Sequence, residues 1–340
     1  MISSKTKISL FFLLAVITFI GHNYIKQYKK CGAEILTNNW IIQTSKGTTA
    51  EIKEKQLFLF SLDHPKSVDI KQDISPVING STLELSADIK CENVRPGVES
   101  YNRARLLFMQ YDKEGNGLNY LPHHAASLSG TKKWERYIDY FHVVPETERI
   151  KVSAQLTHCS GSLWIKDIHL YPVTKTGVYT YFRIIILVIW GLYLILLLGP
   201  CFLYGKNNIV IRMILLVLFI LIIIGVTMPP DIKIQISAGV KELINSLGVF
   251  SGVSCYTWDP AKVGHFFFFF LFGLFFSLLQ KDESDIIVII NILLFAGSTE
   301  IMQLFIDGRS FLLWDVIIDL NGALYGFILS KLLLSIRRDI

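Results

Sequence analysis

Long, mainly apolar stretches recur along this chain, and in one segment between them the apolar residues instead alternate with polar ones. A membrane-spanning helix needs about 20 apolar residues. Six stretches approach that length, at residues 8–24, 182–204, 209–228, 264–279, 286–306 and 311–334. The first follows Lys5 and Lys7 without a small-residue cleavage site after it, so it is predicted to be an uncleaved signal anchor. The pattern predicts an α-helical polytopic membrane bundle of about six spans.

Between the first two spans, apolar residues recur at every second position. One such run is Leu83, Leu85, Ala87 and Ile89, and another spans residues 150–156. Period two is typical of strands with one buried face, and turn sequences at 79–81, 113–117 and 160–162 separate the runs. Short strands spaced in this way favour a β-sandwich. We therefore divide the chain into a signal-anchor span (1–29), an inserted all-β domain (30–175) and a domain of five spans (180–340).

Composition agrees with a membrane protein and excludes some partners. Only 18% of the residues are charged, whereas soluble domains carry about 25%. The net charge of +5 is scattered, with no basic stripe among aromatic residues, which argues against nucleic acid as a partner. The five cysteines lack the close spacing of a zinc or redox motif. A disulfide between Cys91 and Cys159 and a pair of isolated thiols remain equally open.

The charges near the ends of the spans bear on orientation. Lys206, Lys281, Lys331 and the arginines at 337–338 are all cytoplasmic if the N-terminus is cytoplasmic. The lysines at 26–30 oppose this arrangement, but the short basic leader before the first span resembles an export signal. We expect both termini in the cytoplasm and residues 30–175 outside the cell membrane.

Ionisable residues within the membrane are costly and therefore point to function. The last three spans and their connections carry Lys262, His265, Glu300, Gln303, Arg309, Asp315 and Asp319. The last two aspartates share one helix face with Gly322 and Gly326, and glycines allow helices to approach closely. We expect these polar side chains within about two helical turns, roughly 11 Å, of one membrane face. They form either a ligand site or a set of buried ion pairs that locks the bundle.

Four short motifs in this region occur in a recognisable order. They are Lys262-Val263-Gly264-His265-Phe266, Glu300-Ile301-Met302-Gln303, Gly308-Arg309-Ser310, and Asp315-Val316 followed by Asp319 and Gly322-Ala323-Leu324-Tyr325-Gly326. In order and spacing they resemble the VanZ-like family. The chain departs from the family at Ala261, where the family usually has Asp, and at Asp319, where Asn is common.

The resemblance implies a bacterial cell-envelope protein of the inner (cytoplasmic) membrane. The founding member of the family is associated with low-level resistance to the glycopeptide teicoplanin. No settled reaction comes with the family, so the resemblance identifies a site rather than an activity.

The inserted domain has a looser resemblance of its own. Residues 161–170 resemble the closing strand of jelly-roll carbohydrate-binding modules. This implies a jelly-roll-like sandwich with aromatic side chains that stack on sugars. The candidates are Trp40, Tyr101, Tyr120 and Trp134. The pair His123-His124 has no apparent carboxylate partner and is expected in a solvated loop.

The expected function is recognition or handling of a glycan or lipid-linked envelope component at the outer leaflet, among membrane lipids. Two alternatives stay open. One is a membrane-embedded enzyme, in which His265 and nearby carboxylates could act as general acid and base. The other is a non-catalytic scaffold that binds a protein. We expect no cofactor and no metal ion, because one histidine among oxygen ligands is a poor match to zinc sites.

Overall fold

In the computed structural model, the chain forms one helical unit and one strand unit. The first comprises Met1–Gln27 and Gly177–Ile340, and the second Tyr28–Thr176. The structure describes residues 3–37, 39–53, 56–62, 66–75, 79–99, 101–119, 121–203, 209–228, 232, 236, 239–240, 242, 260–306, 309 and 311–336. Tyr120, Cys255 and most of the loop before the fourth span lie outside the described residues.

Six helices among the described residues are long and apolar enough to cross a membrane, which confirms the predicted helical class. They are α1 (Ser4–Tyr24), α2 (Gly177–Leu203), α3 (Ile209–Thr227), α4 (Pro260–Leu279), α5 (Asp285–Gln303) and α6 (Leu313–Ile336). Each corresponds to one predicted stretch. The helix α1 begins where the Ser3 side chain accepts a hydrogen bond from the Thr6 amide, as is usual for an N-cap serine.

Apolar side chains and a few satisfied polar groups hold the bundle together. Trp190 and Phe272 are fully buried. Lipid offers polar groups no partner, so such groups must be satisfied within the protein. The Trp190 indole donates to Thr18 Oγ1 at 3.0 Å, which joins α2 to α1. Ser330 donates to Ser277 Oγ at 2.6 Å, which joins α6 to α4.

Helices α4 and α6 approach each other through glycines. A Cβ atom added at Gly322 would collide with the backbone oxygen of Phe266, and one at Gly326 with that of Phe270. On α4, Gly273 faces the backbone of Ala323 in the same way. The glycine stripe therefore allows backbone contact between the two helices, and this fixes the height of α4 against α6.

The strand unit is a sandwich of two antiparallel sheets. Its strands are β1 (Tyr28–Lys30), β2 (Ile41–Gln43), β3 (Thr48–Lys53), β4 (Gln56–Ser61), β5 (Ser67–Ile74), β6 (Thr82–Arg95), β7 (Ala104–Tyr111), β8 (His124–Leu128), β9 (Gly130–His142), β10 (Arg149–Thr157) and β11 (Ser160–Lys175). One sheet has the order β3-β4-β11-β6-β9, with β1 also paired to β11, and the other has the order β2-β5-β10-β7-β8. This confirms the predicted all-β class.

The core of the sandwich follows the period-two pattern of the sequence. Leu83, Leu85, Ala87 and Ile89 of β6 are at most 2% exposed, and the alternating residues of β10 between 150 and 156 are at most 1% exposed. Cys91 and Cys159 are buried in the same core as free thiols. Of the two alternatives left open for this pair, isolated apolar thiols are therefore correct.

Candidate functional site

The candidate site lies at one end of the helical bundle. At this end, the hydroxyl of Tyr179 in α2 lies 3.2 Å from Nδ1 of His22 in α1. Arg309, in the connection between α5 and α6, donates from Nη1 to the carbonyl of Val226 near the end of α3 at 3.0 Å. The ends of α1, α3 and α5 and the starts of α2 and α6 therefore meet here. Of residues 307–310, which connect α5 to α6, only Arg309 is described.

A histidine and an aspartate join α4 to α6 at this level. Nδ1 of His265 lies 3.0 Å from Oδ1 of Asp319, whose side chain is fully buried. Asp319 is one turn before Gly322, which packs on the backbone of Phe266. The glycine contact thus sets His265 opposite Asp319.

Helix α5 contributes a buried carboxylate and a buried amide. Glu300 is 0% exposed and Gln303 is 4% exposed. The Gln303 amide nitrogen donates to Oε1 of Glu300, and its oxygen lies 3.3 Å from Nη1 of Arg309, which donates to it. Gln303 therefore links the carboxylate to the guanidinium.

Three buried polar atoms of this group lack hydrogen bonds. Within the described part of the chain, no partner meets normal hydrogen-bond geometry for Oε2 of Glu300, Nη2 of Arg309 or Oδ1 of Asp315. Glu300 and Asp315 both interact electrostatically with Arg309, and the backbone amide of Leu312 is also near Glu300. A buried polar atom without a partner costs about 1–3 kcal/mol, and more if it is charged. The arrangement is therefore incomplete as a purely structural network.

The same residues offer ligands for a cation. His265, Glu300 and Asp319 each contribute one potential donor atom, and these three atoms lie within 4.8 Å of one another. From the sequence, one histidine with nearby carboxylates made only a weak case for a metal site, and none was expected; the structure brings these three donors together. The three residues come from three helices, so no local spacing signals the set.

The remaining predicted residues of the membrane cluster differ in position. Asp315 lies in the first turn of α6, within electrostatic range of Glu300. Lys262 is exposed in the first turn of α4. Among the described residues, Lys262 takes no part in the hydrogen bonds between His265, Asp319 and the other cluster members.

The aromatic candidates of the sandwich do not form one platform. Trp40 is half-buried against the sandwich core, whereas Tyr101 and Trp134 are 50% and 41% exposed. Tyr101 precedes β7 in one sheet and Trp134 lies in β9 of the other. His124, expected in a loop, is exposed at the start of β8.

The sequence analysis missed an aromatic residue on β9. Tyr140 is 37% exposed and stacks on Tyr28 with ring centroids 4.2 Å apart. Lys166 of β11 lies over the Trp134 ring at 4.7 Å. Across the sheet, Lys166 pairs with Asp88 of β6, which pairs in turn with Arg136 of β9. Side chains at every second position of a strand lie on one face, so Trp134, Arg136 and Tyr140 share the outer face of this sheet. The period-two pattern along β9 was the signal that could have found Tyr140.

Comparison with solved structures finds carbohydrate-binding modules and a phage protein. The CBM22-1 xylan-binding domain from Paenibacillus barcinonensis Xyn10C is 13% identical, with 44% of this chain and 99% of that chain covered and a TM-score of 0.31. A CBM4 structure is 16% identical, with 41% and 94% covered and a TM-score of 0.30. The tailspike protein 4 domain of bacteriophage CBA120 is 13% identical, with 40% of this chain and 19% of that chain covered and a TM-score of 0.30. The chain therefore spans about a fifth of the length of that protein. No curated protein matches the chain.

The family comparison concerns the helical unit. Residues 190–334 match the family model described as VanZ/LLP1. The match extends from α2 into α6 and includes His265, Glu300, Arg309 and Asp319. It confirms the resemblance carried by the four motifs: the C-terminal spans of this multi-pass membrane protein are VanZ-like.

Proposed function

We propose that this protein binds a phosphate-bearing envelope lipid, with or without an attached glycan, where Glu300 and Arg309 meet. The observation that carries the proposal is the incomplete buried network, above all Nη2 of Arg309, which has no hydrogen-bond partner among the described residues. A planar guanidinium suits bidentate hydrogen bonding to phosphate or carboxylate oxygens. Because Nη1 is already anchored on Val226 and Gln303, Arg309 is held in place while Nη2 remains available to a ligand.

The competing interpretation is that the cluster only locks the bundle. A buried lock stabilises only if its polar atoms are satisfied, since a half-satisfied network costs more than an apolar core. Glu300 and Asp315 each keep an oxygen without a partner among the described residues. A bound ligand that hydrogen-bonds to these oxygens would explain why they lack partners among the described residues. A purely structural role for the cluster would not explain it.

The site is proposed to face the outside of a bacterial cytoplasmic membrane. Tyr24 ends α1 and Gly177 begins α2, so the chain leaves and re-enters the bundle at the end that carries the cluster. At the opposite end, Lys7 donates to Asn291 at 3.3 Å, and Lys331 pairs with Asp285. Lysines at that end agree with a cytoplasmic location.

The sandwich is proposed to recognise the glycan part of such a component. The support is the outer face of β9, where Trp134 and Tyr140 expose aromatic rings. Exposed rings on a strand provide flat apolar surfaces beside charged groups such as Lys166. If the bound component is a cell-wall precursor, changes in the protein would alter susceptibility to glycopeptides such as teicoplanin.

The lipid proposal is tested with purified full-length protein in detergent. Binding of a polyprenyl phosphate, of phosphatidylglycerol and of uncharged polyprenol is compared by native mass spectrometry. We expect binding of phosphate lipids only, with Arg309→Lys about tenfold or more weaker because it loses the fork geometry, equivalent to about 1.4 kcal/mol. The matched control is Arg212→Lys at the other end of α3, which should bind normally.

The outcomes separate ligand binding from structural locking. Arg309→Lys and Glu300→Gln are expected to remain folded and abundant while phosphate-lipid binding falls. Equal binding of polyprenol and polyprenyl phosphate, or wild-type binding by Arg309→Lys, would refute the proposal. A loss of abundance that parallels every loss of binding would favour the lock.

A catalytic role is a second candidate because of one observation. His265 and Asp319 form a hydrogen-bonded pair at 3.0 Å, and an imidazole held by a carboxylate is a common general acid or base. An enzyme would convert the bound lipid, so release of phosphate or of the headgroup during incubation distinguishes it from a binding protein.

A further inference from the structure

We infer that His265, Glu300 and Asp319 form a binding site for a divalent first-row transition-metal cation. The inference rests on the proposed function for the role of the cation toward a phosphate lipid, whereas the cation site itself can be tested without lipid. It concerns three side chains on three helices, α4, α5 and α6.

The first argument is geometric. The three donor atoms lie within 4.8 Å of one another. Metal–ligand bonds of about 2.0–2.2 Å place ligand atoms about 3–4.4 Å apart around a common ion. Rotation of the carboxylate side chains about their χ angles can bring the donor atoms into this range. The contact of Gly322 with the Phe266 backbone keeps α4 and α6 close enough for this.

The second argument is the state of Glu300. Its side chain is completely buried, and within the described residues its Oε2 atom accepts no hydrogen bond. Gln303 occupies only the other oxygen. A carboxylate removed from water needs positive partners, because an uncompensated buried charge is strongly destabilising. Arg309 interacts with Glu300 electrostatically, but among the described residues nothing donates a hydrogen bond to Oε2. A cation held by this carboxylate supplies that partner.

Charge balance points the same way. Three carboxylates, those of Glu300, Asp315 and Asp319, interact within the cluster. Among the described residues, they face Arg309 and, when it is protonated, His265. A phosphate brought to Arg309 would add further negative charge beside these carboxylates. A divalent cation between the carboxylates and the phosphate removes that repulsion, as metal ions do in sites that bind transferred or bound phosphates.

The donor set selects the kind of cation. One imidazole with two carboxylates suits a first-row transition metal such as Mn²⁺ better than Ca²⁺ or Mg²⁺, which favour oxygen ligands throughout. Mn²⁺ is the useful probe because its unpaired electrons report directly on coordinated nitrogen.

The test uses full-length protein in detergent, stripped of metal and titrated with Mn²⁺ under electron paramagnetic resonance. We expect saturable binding in the wild-type protein and displacement by Zn²⁺, which binds such sites more tightly. Pulsed spectra should show nitrogen-14 modulation from one coordinated imidazole. This wild-type signal needs no variant, so it remains decisive even if a substitution prevents folding.

Variants then assign the ligands. Loss of outer-shell partners weakens metal binding about 10–100-fold, so His265→Ala, Glu300→Gln and Asp319→Asn should each weaken Mn²⁺ binding at least that much. Asp285→Asn is the matched control, because it removes an exposed carboxylate from the opposite end of α5. It should bind Mn²⁺ like the wild-type protein.

Several results would overturn the inference. They are absence of saturable Mn²⁺ binding, bound Mn²⁺ without nitrogen-14 modulation, or wild-type affinity in folded Glu300→Gln protein. Failure of the lipid proposal can be distinguished from failure of the cation site, because Arg309→Lys should keep Mn²⁺ binding while it loses binding of the phosphate lipid. Lipid binding that survives in a wild-type protein unable to bind Mn²⁺ would refute the cation site alone.

Discussion

At the scale of single residues, the buried polar groups of the bundle fall into two kinds. Thr18 and Ser330 make complete hydrogen bonds across helix pairs, and each of them is fully buried. Glu300 and Arg309 are linked through Gln303 but keep an oxygen and a nitrogen without partners among the described residues. The first kind stabilises the bundle, and the second kind supports the proposal that one end of it binds a ligand.

The cysteines of the sandwich allow a residue-scale prediction. Burial raises the pKa of the Cys159 thiol to about 11 and also raises that of Cys91, so little reactive thiolate forms at pH 8. Cys31 is exposed. In folded protein we expect maleimide to modify Cys31 rapidly and the two buried thiols only after denaturation, as read by peptide mass spectrometry.

The pH dependence provides the control for this experiment. If burial is the cause, labelling of Cys159 should stay slow even at pH 9, because only about 1% of a thiol with a pKa of about 11 is ionised at that pH. Rapid labelling of Cys91 or Cys159 in folded protein, or a disulfide between them, would contradict the core described here.

Sequence reasoning identified the residues of the membrane cluster but not their pairing. Glu300, Asp315 and Asp319 stood out because charge within a membrane is costly wherever it lies. The bond between His265 and Asp319 depends on how α4 packs on α6, and residue spacing within one helix carries no such information. For the same reason, the sequence pattern could not show that His265, Glu300 and Asp319 lie close enough to bind one cation.

At the scale of elements, the hydrophobic period of the sequence predicted the strands whose side chains alternate between core and surface. The strands β6 and β10 alternate between core and surface, and their sequences alternate with them. The strand β2 is exposed along its whole length, so it has no apolar period to read. Its place is set by pairing with β5, which is a long-range property.

The glycine contact between α4 and α6 gives an element-scale prediction. In Gly322→Ala, the new methyl group would collide with the backbone oxygen of Phe266. Overpacking of this kind typically costs about 1–3 kcal/mol, and it would separate His265 from Asp319. We expect a lower melting temperature in detergent together with weaker Mn²⁺ and phosphate-lipid binding.

The control for this prediction is a glycine in open space. Apart from its neighbours in the same helical turn, no atom of the described residues lies within 4 Å of a Cβ added at Gly191 in α2. Alanine favours a helix over glycine by about 1 kcal/mol. Gly191→Ala should therefore melt at or above the wild-type temperature. If Gly322→Ala behaves like Gly191→Ala, the contact does not set the geometry of the site.

At the scale of the whole molecule, the chain combines two units with different kinds of core. The helical unit exposes large apolar side chains such as Ile184, Leu192 and Leu332, as a surface in contact with lipid does. The sandwich has its own continuous core. A segment of this size buries roughly two thirds of its unfolded surface, so residues 28–176 should fold when expressed alone.

The isolated sandwich then permits the last prediction, which concerns glycan binding. Trp134 is exposed on β9 under Lys166, and a cation over an exposed ring contributes only about 0.5–1 kcal/mol. A sugar can therefore displace Lys166 at little cost. We expect weak binding to members of a broad glycan panel, and Trp134→Ala should reduce that binding while the melting temperature stays close to that of the wild-type domain.

Trp40→Ala is the matched control for the glycan experiment. Trp40 packs against the sandwich core, and truncation of a buried tryptophan costs about 3–5 kcal/mol, with less expected for a half-buried one. The variant should melt at a lower temperature but keep glycan binding below that temperature. A wild-type domain that binds no glycan would remove the carbohydrate role and favour a scaffold that binds protein. Equal destabilisation in both variants would show that Trp134 belongs to the packing of the domain rather than to a binding face.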